Sequence, residues 1–311
     1  MSKRTVSGSM STSTHATGHE KLKGHLAMIF FALFIAVSFS LGSLSVPHIG
    51  PEPINAIRFV LAAIIMGVFA FGIQRAPIKM PVAPWRYAIL SALMSFYFLT
   101  MFVALSLTTP VSTSAVYTLT PIVTLVFGYF VLRQILSTAM AISLLFAFVG
   151  SVWVIFRAEI DAILAFEIGK GEMIYFMGCV AHAMFTVLLP KFNRGEPLPV
   201  STFFILVGNA LWISLYGASS ILATDWTSLP AIVWVSIVYL AIFPSAITFV
   251  LVQFAAHRLP ASKVMAYGYL VPVFVIVFEG LAGHGWVSLA VFAGALVTCL
   301  GLFVLYFAPD R

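Results

Sequence analysis

The sequence has very little charge. Asp, Glu, Lys and Arg together make up 8% of its 311 residues, whereas hydrophobic residues make up 61%. Soluble globular domains contain about 25% charged and about 45–50% apolar residues. Because so few charges cannot cover a water-facing surface, the composition excludes a soluble globular protein and predicts that lipid is the solvent of the fold.

Cysteine is almost absent. The chain has two cysteines, Cys179 and Cys299, each within an apolar run. Neither belongs to the paired spacing of a zinc site or a redox dithiol, so no disulfide, metal or other cofactor is predicted. The net charge of +6 is spread over single loop residues rather than gathered in a basic patch, which predicts no binding to nucleic acid.

The chain does contain apolar runs near 20 residues, the length of a helix that crosses a hydrocarbon core of about 30 Å. Lipid offers no hydrogen bonds to the backbone, so each run is predicted to be a helix. The Ser/Thr-rich segment 1–23 is too polar to bury and is predicted to be a disordered cytoplasmic tail. Ten spans, called spans 1 to 10 below, are predicted at 25–44, 54–73, 86–108, 112–132, 135–156, 172–190, 201–222, 229–255, 262–282 and 286–307.

Positive charge alternates from loop to loop, which predicts the orientation of the chain. One set of alternate loops, predicted to be extracytoplasmic, holds only Arg157 and Lys170 among the basic residues. Because cytoplasmic loops are enriched in Lys and Arg, both termini are predicted to lie inside. The basic residues on the inner side are then Lys21, Lys23, Arg75, Lys79, Arg86, Arg133, Lys191, Arg194, Arg258, Lys263 and Arg311.

An internal repeat divides the chain into two related halves. A shift of 151 residues aligns Thr118-Leu119-Thr120-Pro121 with Tyr269-Leu270-Val271-Pro272. The predicted halves are 24–156 and 172–307, joined by an extracytoplasmic loop at 157–171. Five spans is an odd number, so the second half is predicted to be inverted in the membrane, the arrangement from which many carriers build alternating access.

Several segments in this order resemble the EamA family of the drug/metabolite transporter superfamily. They are Asn55-Ala56-Ile57-Arg58-Phe59 at the start of span 2, Ala104 to Pro121 with its partner Ala255 to Pro272, and Ala181 to Leu188. The resemblance covers nearly all of residues 25–307. It implies ten helices, a central cavity and transport of small organic solutes, with the bacterial inner membrane as the expected location. The family commonly has a glutamate after the central proline of each half, and here the two corresponding positions hold Gln134 and Gly285.

Polar residues at helical spacing inside the spans are candidates for the wall of a solute cavity. Pro121 and Pro272 are predicted to kink spans 4 and 9 in mid-helix, since proline removes a backbone donor. Each hydroxyl or aromatic side chain is also open to a packing role. The cavity candidates are Ser38, Ser40, Tyr97, Thr100, Tyr117, Thr120, Pro121, His182, Thr186, Ser245, Thr248, Gln253, Tyr267, Tyr269 and Pro272.

Two ionisable residues, Arg58 and Glu279, are predicted to lie about one turn below the outer surface. Burial of an unpaired charge at the bilayer centre costs roughly 2.5–3.5 kcal/mol on insertion scales, so each is expected to have a partner. They are interpreted either as a coupling carboxylate or substrate anchor at an extracellular gate, or as members of an interfacial ion pair or residues in contact with lipid headgroups.

Spans 5 and 10 have small residues at four-residue spacing, which lets helix backbones approach closely. Ala139, Ser143 and Ala147 correspond to Ala290, Gly294 and Thr298. These spans are predicted to pack against each other or across a homodimer, so a monomer and a dimer both stay open.

The pattern favours a secondary transporter, with export preferred, of small organic metabolites such as amino acids or related compounds. Proton antiport, exchange and facilitated diffusion all stay open, and no enzyme activity is predicted. One alternative is a polytopic scaffold without transport. Another is an intramembrane enzyme, suggested only by the short motif Gly217-Ala218-Ser219.

Overall fold

The computed structural model describes residues 18–77, 80–133, 137–165, 167–256, 258–259 and 261–307. Within these ranges all regular secondary structure is helical. Nine helical segments of the described chain are long and apolar enough to cross a membrane, and Leu289–Val304 is a shorter apolar helix. The prediction of an all-helical, multi-pass membrane fold is therefore confirmed.

Each predicted span corresponds to helical structure. Span 1 begins at Gly18, so residues 18–23 of the predicted tail are helical, whereas residues 1–17 lie outside the described residues. Short helices at Ile160–Leu164 and Ala218–Ala223 lie in loops. Spans 1 to 10 are Gly18–Ser45; Pro51–Gly67 continued by the π-helical turn Val68–Ile73; Trp85–Leu105; Pro110–Tyr117 with Thr120–Leu132; Thr138–Ile155; Lys170–Phe192; Leu198–Tyr216; Ala231–Ala241, the π-helical turn Ile242–Ile247 and Thr248–Ala256; Ala261–Ala266, the 3-10 turn Tyr267–Leu270 and Val271–Leu281; and Leu289–Phe307.

The tight connections around span 4 have local causes. Pro110 stands in the first helical turn, where its missing N–H costs no hydrogen bond, and the Thr109 side chain caps this helix by accepting from the N–H of Ser112 at 3.2 Å. Arg133 ends span 4 in a left-handed conformation, with φ of 54°. The predicted breaks before and after this span are therefore present.

Spans 4 and 9 are each interrupted just before a proline. Span 4 breaks at Thr118 and Leu119, and span 9 passes through the 3-10 turn Tyr267–Leu270. Pro121 and Pro272 then lie in the first turn of the following helix. The prediction of mid-helix kinks is corrected here, because first-turn N–H groups have no partner within their helix and proline stabilises such a start.

Spans 5 and 10 pack against each other through their small residues. A Cβ added to Gly150 would lie 2.5 Å from the carbonyl oxygen of Gly294. The indole nitrogen of Trp153 donates to the carbonyl of Ala290 at 2.9 Å. The small-residue faces are thus used within one chain, and the oligomeric state stays a prediction.

The largest buried cluster among the described residues joins spans 1, 3, 4, 5, 6, 9 and 10. It includes Phe39, Tyr97, Val116, Tyr175 and Val275, all at most 6% exposed. This cluster surrounds the broken parts of spans 4 and 9, where polar groups meet the apolar core.

Candidate functional site

A small cavity lies between the interrupted parts of spans 4 and 9. Its volume is about 20 Å³. A buried water needs roughly 10–15 Å³ on this measure, so the cavity has room for about one water and none for an organic solute. The walls are Tyr117, Thr118, Thr120, Pro121, His182, Met265, Gly268 and Tyr269.

Five of these wall residues were cavity candidates from the sequence: Tyr117, Thr120, Pro121, His182 and Tyr269. The sequence analysis did not select Thr118, Met265 or Gly268. The 151-residue shift already aligned Thr118 with Tyr269 in the sequence. This alignment could have added Thr118 to the cavity candidates. Gly268 had no such signal, and a Cβ added there would make ordinary van der Waals contact with Tyr117 Cε1 at 3.6 Å, so packing does not require a glycine at this position.

Two polar atoms beside the small cavity have no hydrogen-bond partner among the described residues. They are Nδ1 of His182 and Oγ1 of Thr120, both buried. Leaving a buried polar atom without a hydrogen bond costs about 1–3 kcal/mol, so unpaired polar atoms are uncommon in protein cores. Their position at a cavity wall indicates that a water or a solute group is able to satisfy them.

Aromatic rings lie against His182. Its imidazole stacks on the ring of Tyr97 with centroids 4.6 Å apart, and the ring of Tyr117 lies 6.2 Å away. The hydroxyl groups of Tyr97 and Tyr175 are hydrogen-bonded at 2.9 Å. Tyr175 and the adjacent Cys179 are fully buried, so this part of span 6 faces the core rather than lipid.

Arg58 lies deep in the protein and is 1% exposed. It donates long hydrogen bonds, from Nη1 to Asn55 Oδ1 at 3.5 Å and from Nη2 to Ser245 Oγ at 3.4 Å. Its guanidinium carbon lies 4.3 Å from the ring centroid of Phe98. No carboxylate in the described part of the chain pairs with it, so the expected partners of Arg58 are neutral side chains and an aromatic ring.

Glu279 lies elsewhere, on a large cavity of about 640 Å³. Its carboxylate pairs with Nδ1 of His284 at 2.8 Å, in the loop after span 9. Arg157 and Gly285 also line this cavity. Glu279 therefore belongs to a pair at the end of its span and makes no contact with Arg58. Gln134, the other replaced family position, lies outside the described residues.

The remaining cavity candidates do not line the small cavity. Tyr267 shares a 2.6 Å hydrogen bond with Nδ1 of His25, away from the small cavity. Pro272 is buried in span 9, and the Oγ of Ser40 is buried without a partner among the described residues. The side chain of Gln253 lies outside the described part of the structure. Hydroxyls that donate to carbonyls of their own span are those of Ser38, Thr100, Thr186, Ser245 and Thr248.

Each half of the chain matches the same known family. The model of the EamA-like transporter family matches residues 22–156 and residues 169–307. The chain belongs to the EamA-like transporter family. A Bacillus subtilis relative, described as "Uncharacterized transporter YyaM", is 26% identical over 285 residues, which cover 89% of this chain and 92% of the relative.

The fold is also similar to that of a protein solved by crystallography. The two chains are 20% identical with a TM-score of 0.69, covering 94% of this chain and 99% of the other. At this identity the likeness concerns the fold alone. Together with the apolar spans, membership of the EamA-like family identifies the protein as a multi-pass membrane transporter, and the predicted bacterial inner membrane is its location.

Proposed function

We propose that this EamA-like protein is a secondary transporter that exports small organic metabolites, such as amino acids or related compounds, by alternating access around the small cavity. The observation that carries the proposal is the pair of interruptions in spans 4 and 9, which meet at the unpaired polar atoms of Thr120 and His182. Interrupted helices lining a polar site between two halves are typical of secondary transporters.

The proposed architecture is ten spans in two inverted halves, 24–156 and 172–307, with both termini inside. Helix starts support the repeat. The 151-residue shift carries Pro110, Thr120 and Thr138, the first residues of three helices, onto Ala261, Val271 and Leu289, which also begin helices. The family model matching the chain twice supports the same division.

In this mechanism the structure corresponds to a state with the central site closed. A cavity for a small organic molecule has a volume of about 300–1,000 Å³, far above that of the small cavity. The interruptions leave backbone groups of spans 4 and 9 without a regular helical ladder, so the segments on either side of each break are able to tilt separately. Tilting would widen the small cavity first toward one side of the membrane and then toward the other.

Flux measurements test the transport activity. Purified protein in liposomes loaded with a bacterial metabolite extract should release specific solutes faster than protein-free liposomes. A scaffold protein would release no solute above the protein-free rate. That outcome would refute the proposed transport function. The alternative intramembrane enzyme has Ser219 exposed on the short helix Ala218–Ala223, and unchanged flux in Ser219→Ala is expected.

Cysteine labelling tests the location of the site. In a background with both native cysteines replaced by alanine, Tyr117→Cys and Tyr269→Cys should react with a membrane-impermeant maleimide from one side at a time. Leu211→Cys, at a lipid-facing position that is 59% exposed in the protein alone, is the control and should stay unreactive. Absence of labelling at both tyrosine positions in every condition would contradict the cavity assignment.

Reporter fusions test the topology. Fusions after Arg75 and after Arg194 should report the same, cytoplasmic side, because the loops that follow spans 2 and 6 are both predicted to be inside. Reports from opposite sides would exclude the inverted arrangement.

A further inference from the structure

Two arginines among the described residues are almost fully buried, and their surroundings differ. Arg86 is 2% exposed and its guanidinium contacts the carboxylate of Glu196 at 2.6 Å, with further hydrogen bonds to the carbonyls of Val82 and Phe192. Arg58 is 1% exposed and has only its two long hydrogen bonds to neutral side chains. The fold thus neutralises one buried cation and leaves the other without an anion in the described chain.

The edge of the Arg58 guanidinium that is formed by Nε and Nη2 has the geometry to bind an anion. Nε has no hydrogen-bond partner among the described residues, and Nη2, on the same edge, reaches Ser245 only at 3.4 Å. A guanidinium offers these two parallel N–H groups to both oxygens of a carboxylate. Ser245 lies in the π-helical turn Ile242–Ile247, an irregularity that is frequent at functional sites.

Arg58 is connected to the small cavity through aromatic rings. The ring of Phe98, which contacts the guanidinium, lies 4.8 Å from the ring of Tyr97, and Tyr97 stacks on His182 in the cavity wall. A solute that reached Arg58 would therefore lie along apolar and aromatic surface. No described carboxylate lines this path to balance a cationic solute.

We propose that Arg58 binds the carboxylate of the transported solute, through the edge formed by Nε and Nη2, while the apolar or aromatic body of the solute lies against Phe98 and Tyr97. The inference rests on the proposed transport function and narrows its substrate class to organic acids and other carboxylate-bearing metabolites. The bound carboxylate supplies the negative charge that a cation in a low-dielectric interior requires.

The test uses the full chain in liposomes loaded with a bacterial metabolite extract, to which phenylacetate, its neutral amide phenylacetamide and phenyl phosphate are added. Mass spectrometry measures the initial rate at which each solute is released above protein-free liposomes. We expect the released solutes to carry a carboxylate. We also expect Arg58→Met to slow their release by about ten- to a hundredfold, the range that corresponds to a lost charged hydrogen bond.

Two further variants separate charge from geometry. Arg58→Lys keeps the charge but lacks the parallel N–H pair, so it should give an intermediate rate. Arg194→Met removes an exposed arginine from the loop after span 6 and should release solutes at the wild-type rate. The released carboxylate should raise the melting temperature of the wild type and leave that of Arg58→Met unchanged.

The outcomes distinguish the inference from the function on which it rests. Wild-type protein that releases only neutral, cationic or phosphate-bearing solutes would overturn the carboxylate assignment and leave transport intact. Release of the same carboxylates at unchanged rate by folded Arg58→Met would also overturn it. If Arg58→Met does not melt cooperatively, a wild-type rate in Arg58→Lys is the refuting result. Release of no solute at all would refute transport itself.

Discussion

Replacing Gly150 by alanine should destabilise the protein, because span 10 leaves no room for one more carbon. A Cβ at this position would lie 2.5 Å from the carbonyl oxygen of Gly294 and 2.7 Å from the backbone nitrogen of Thr298. Both are backbone atoms, so no side-chain rotation relieves the overlap. Spans 5 and 10 would have to separate, which weakens their contacts along the shared face.

The magnitude follows from two opposing terms. Overpacking of a tight interior costs about 1–3 kcal/mol, and alanine recovers roughly 0.5–1 kcal/mol of helix propensity relative to glycine. The net loss relative to the wild type is therefore about 0–2.5 kcal/mol. Gly72→Ala is the matched control, because its Cβ would meet only Val68 Cγ1 at 3.9 Å. Both variants gain the helix propensity of alanine, so they should differ by the overpacking cost of about 1–3 kcal/mol. At roughly 2–4 °C per kcal/mol, this corresponds to a difference of about 2–12 °C in melting temperature.

The native cysteines provide the assay. Cys179 and Cys299 are both buried, so a thiol-reactive fluorophore should label them only as the protein unfolds on heating. Circular dichroism of the helical signal gives an independent melting curve. If Gly150→Ala melted at or above the temperature of Gly72→Ala by both measurements, the close approach of spans 5 and 10 at this glycine would be wrong.

Two other substitutions probe polar contacts. Glu196→Gln should cost roughly 1.5–3 kcal/mol near neutral pH, because Arg86 then lacks its charged partner. Burial raises the pKa of the Glu196 carboxyl, but hydrogen bonds from Arg86 and from the N–H of Arg194 outweigh this and leave the pKa below 4.5. The stabilisation by Glu196 should therefore persist above that pH and vanish as the pH falls through the lowered pKa. A difference in melting temperature between the wild type and Glu196→Gln that is the same at every pH would contradict this. Tyr97→Phe removes the hydrogen bond to Tyr175 and should lower stability by about 1 kcal/mol; an unchanged melting temperature would count against that bond.

Much of the candidate site was predictable because polar residues in a membrane helix stand out. Tyr117, Thr120 and Pro121 lie at helical spacing in the sequence of span 4, and the repeat pointed to Tyr269 as a partner, so their selection needed only spacing and alignment. All four line the small cavity. Tyr267 was selected by the same logic but turns toward His25, since neighbouring residues on a helix face different sides.

The interruptions in spans 4 and 9 were not predictable from the same information. The residues from Tyr117 to Thr120 include no glycine or proline that would mark the end of a helix, and the following proline was interpreted as a kink within one helix. A proline is compatible with a kink and with a new helix start. Which of the two occurs depends on contacts made by the residues before it, such as the hydrogen bond between the side chains of Thr118 and Ser151.

Taken alone, the sequence determined the solvent, the helical class and the approximate extent of the spans, because lipid requires long apolar helices that satisfy their own backbones. The tertiary structure decided which polar groups meet. Arg58, Ser245 and Tyr97 stand on three different spans, and no local pattern specifies that they converge or that, among the described residues, Arg58 lacks an anion while Arg86 has one. Burial and pairing are properties of the packed chain, since each depends on residues distant in sequence.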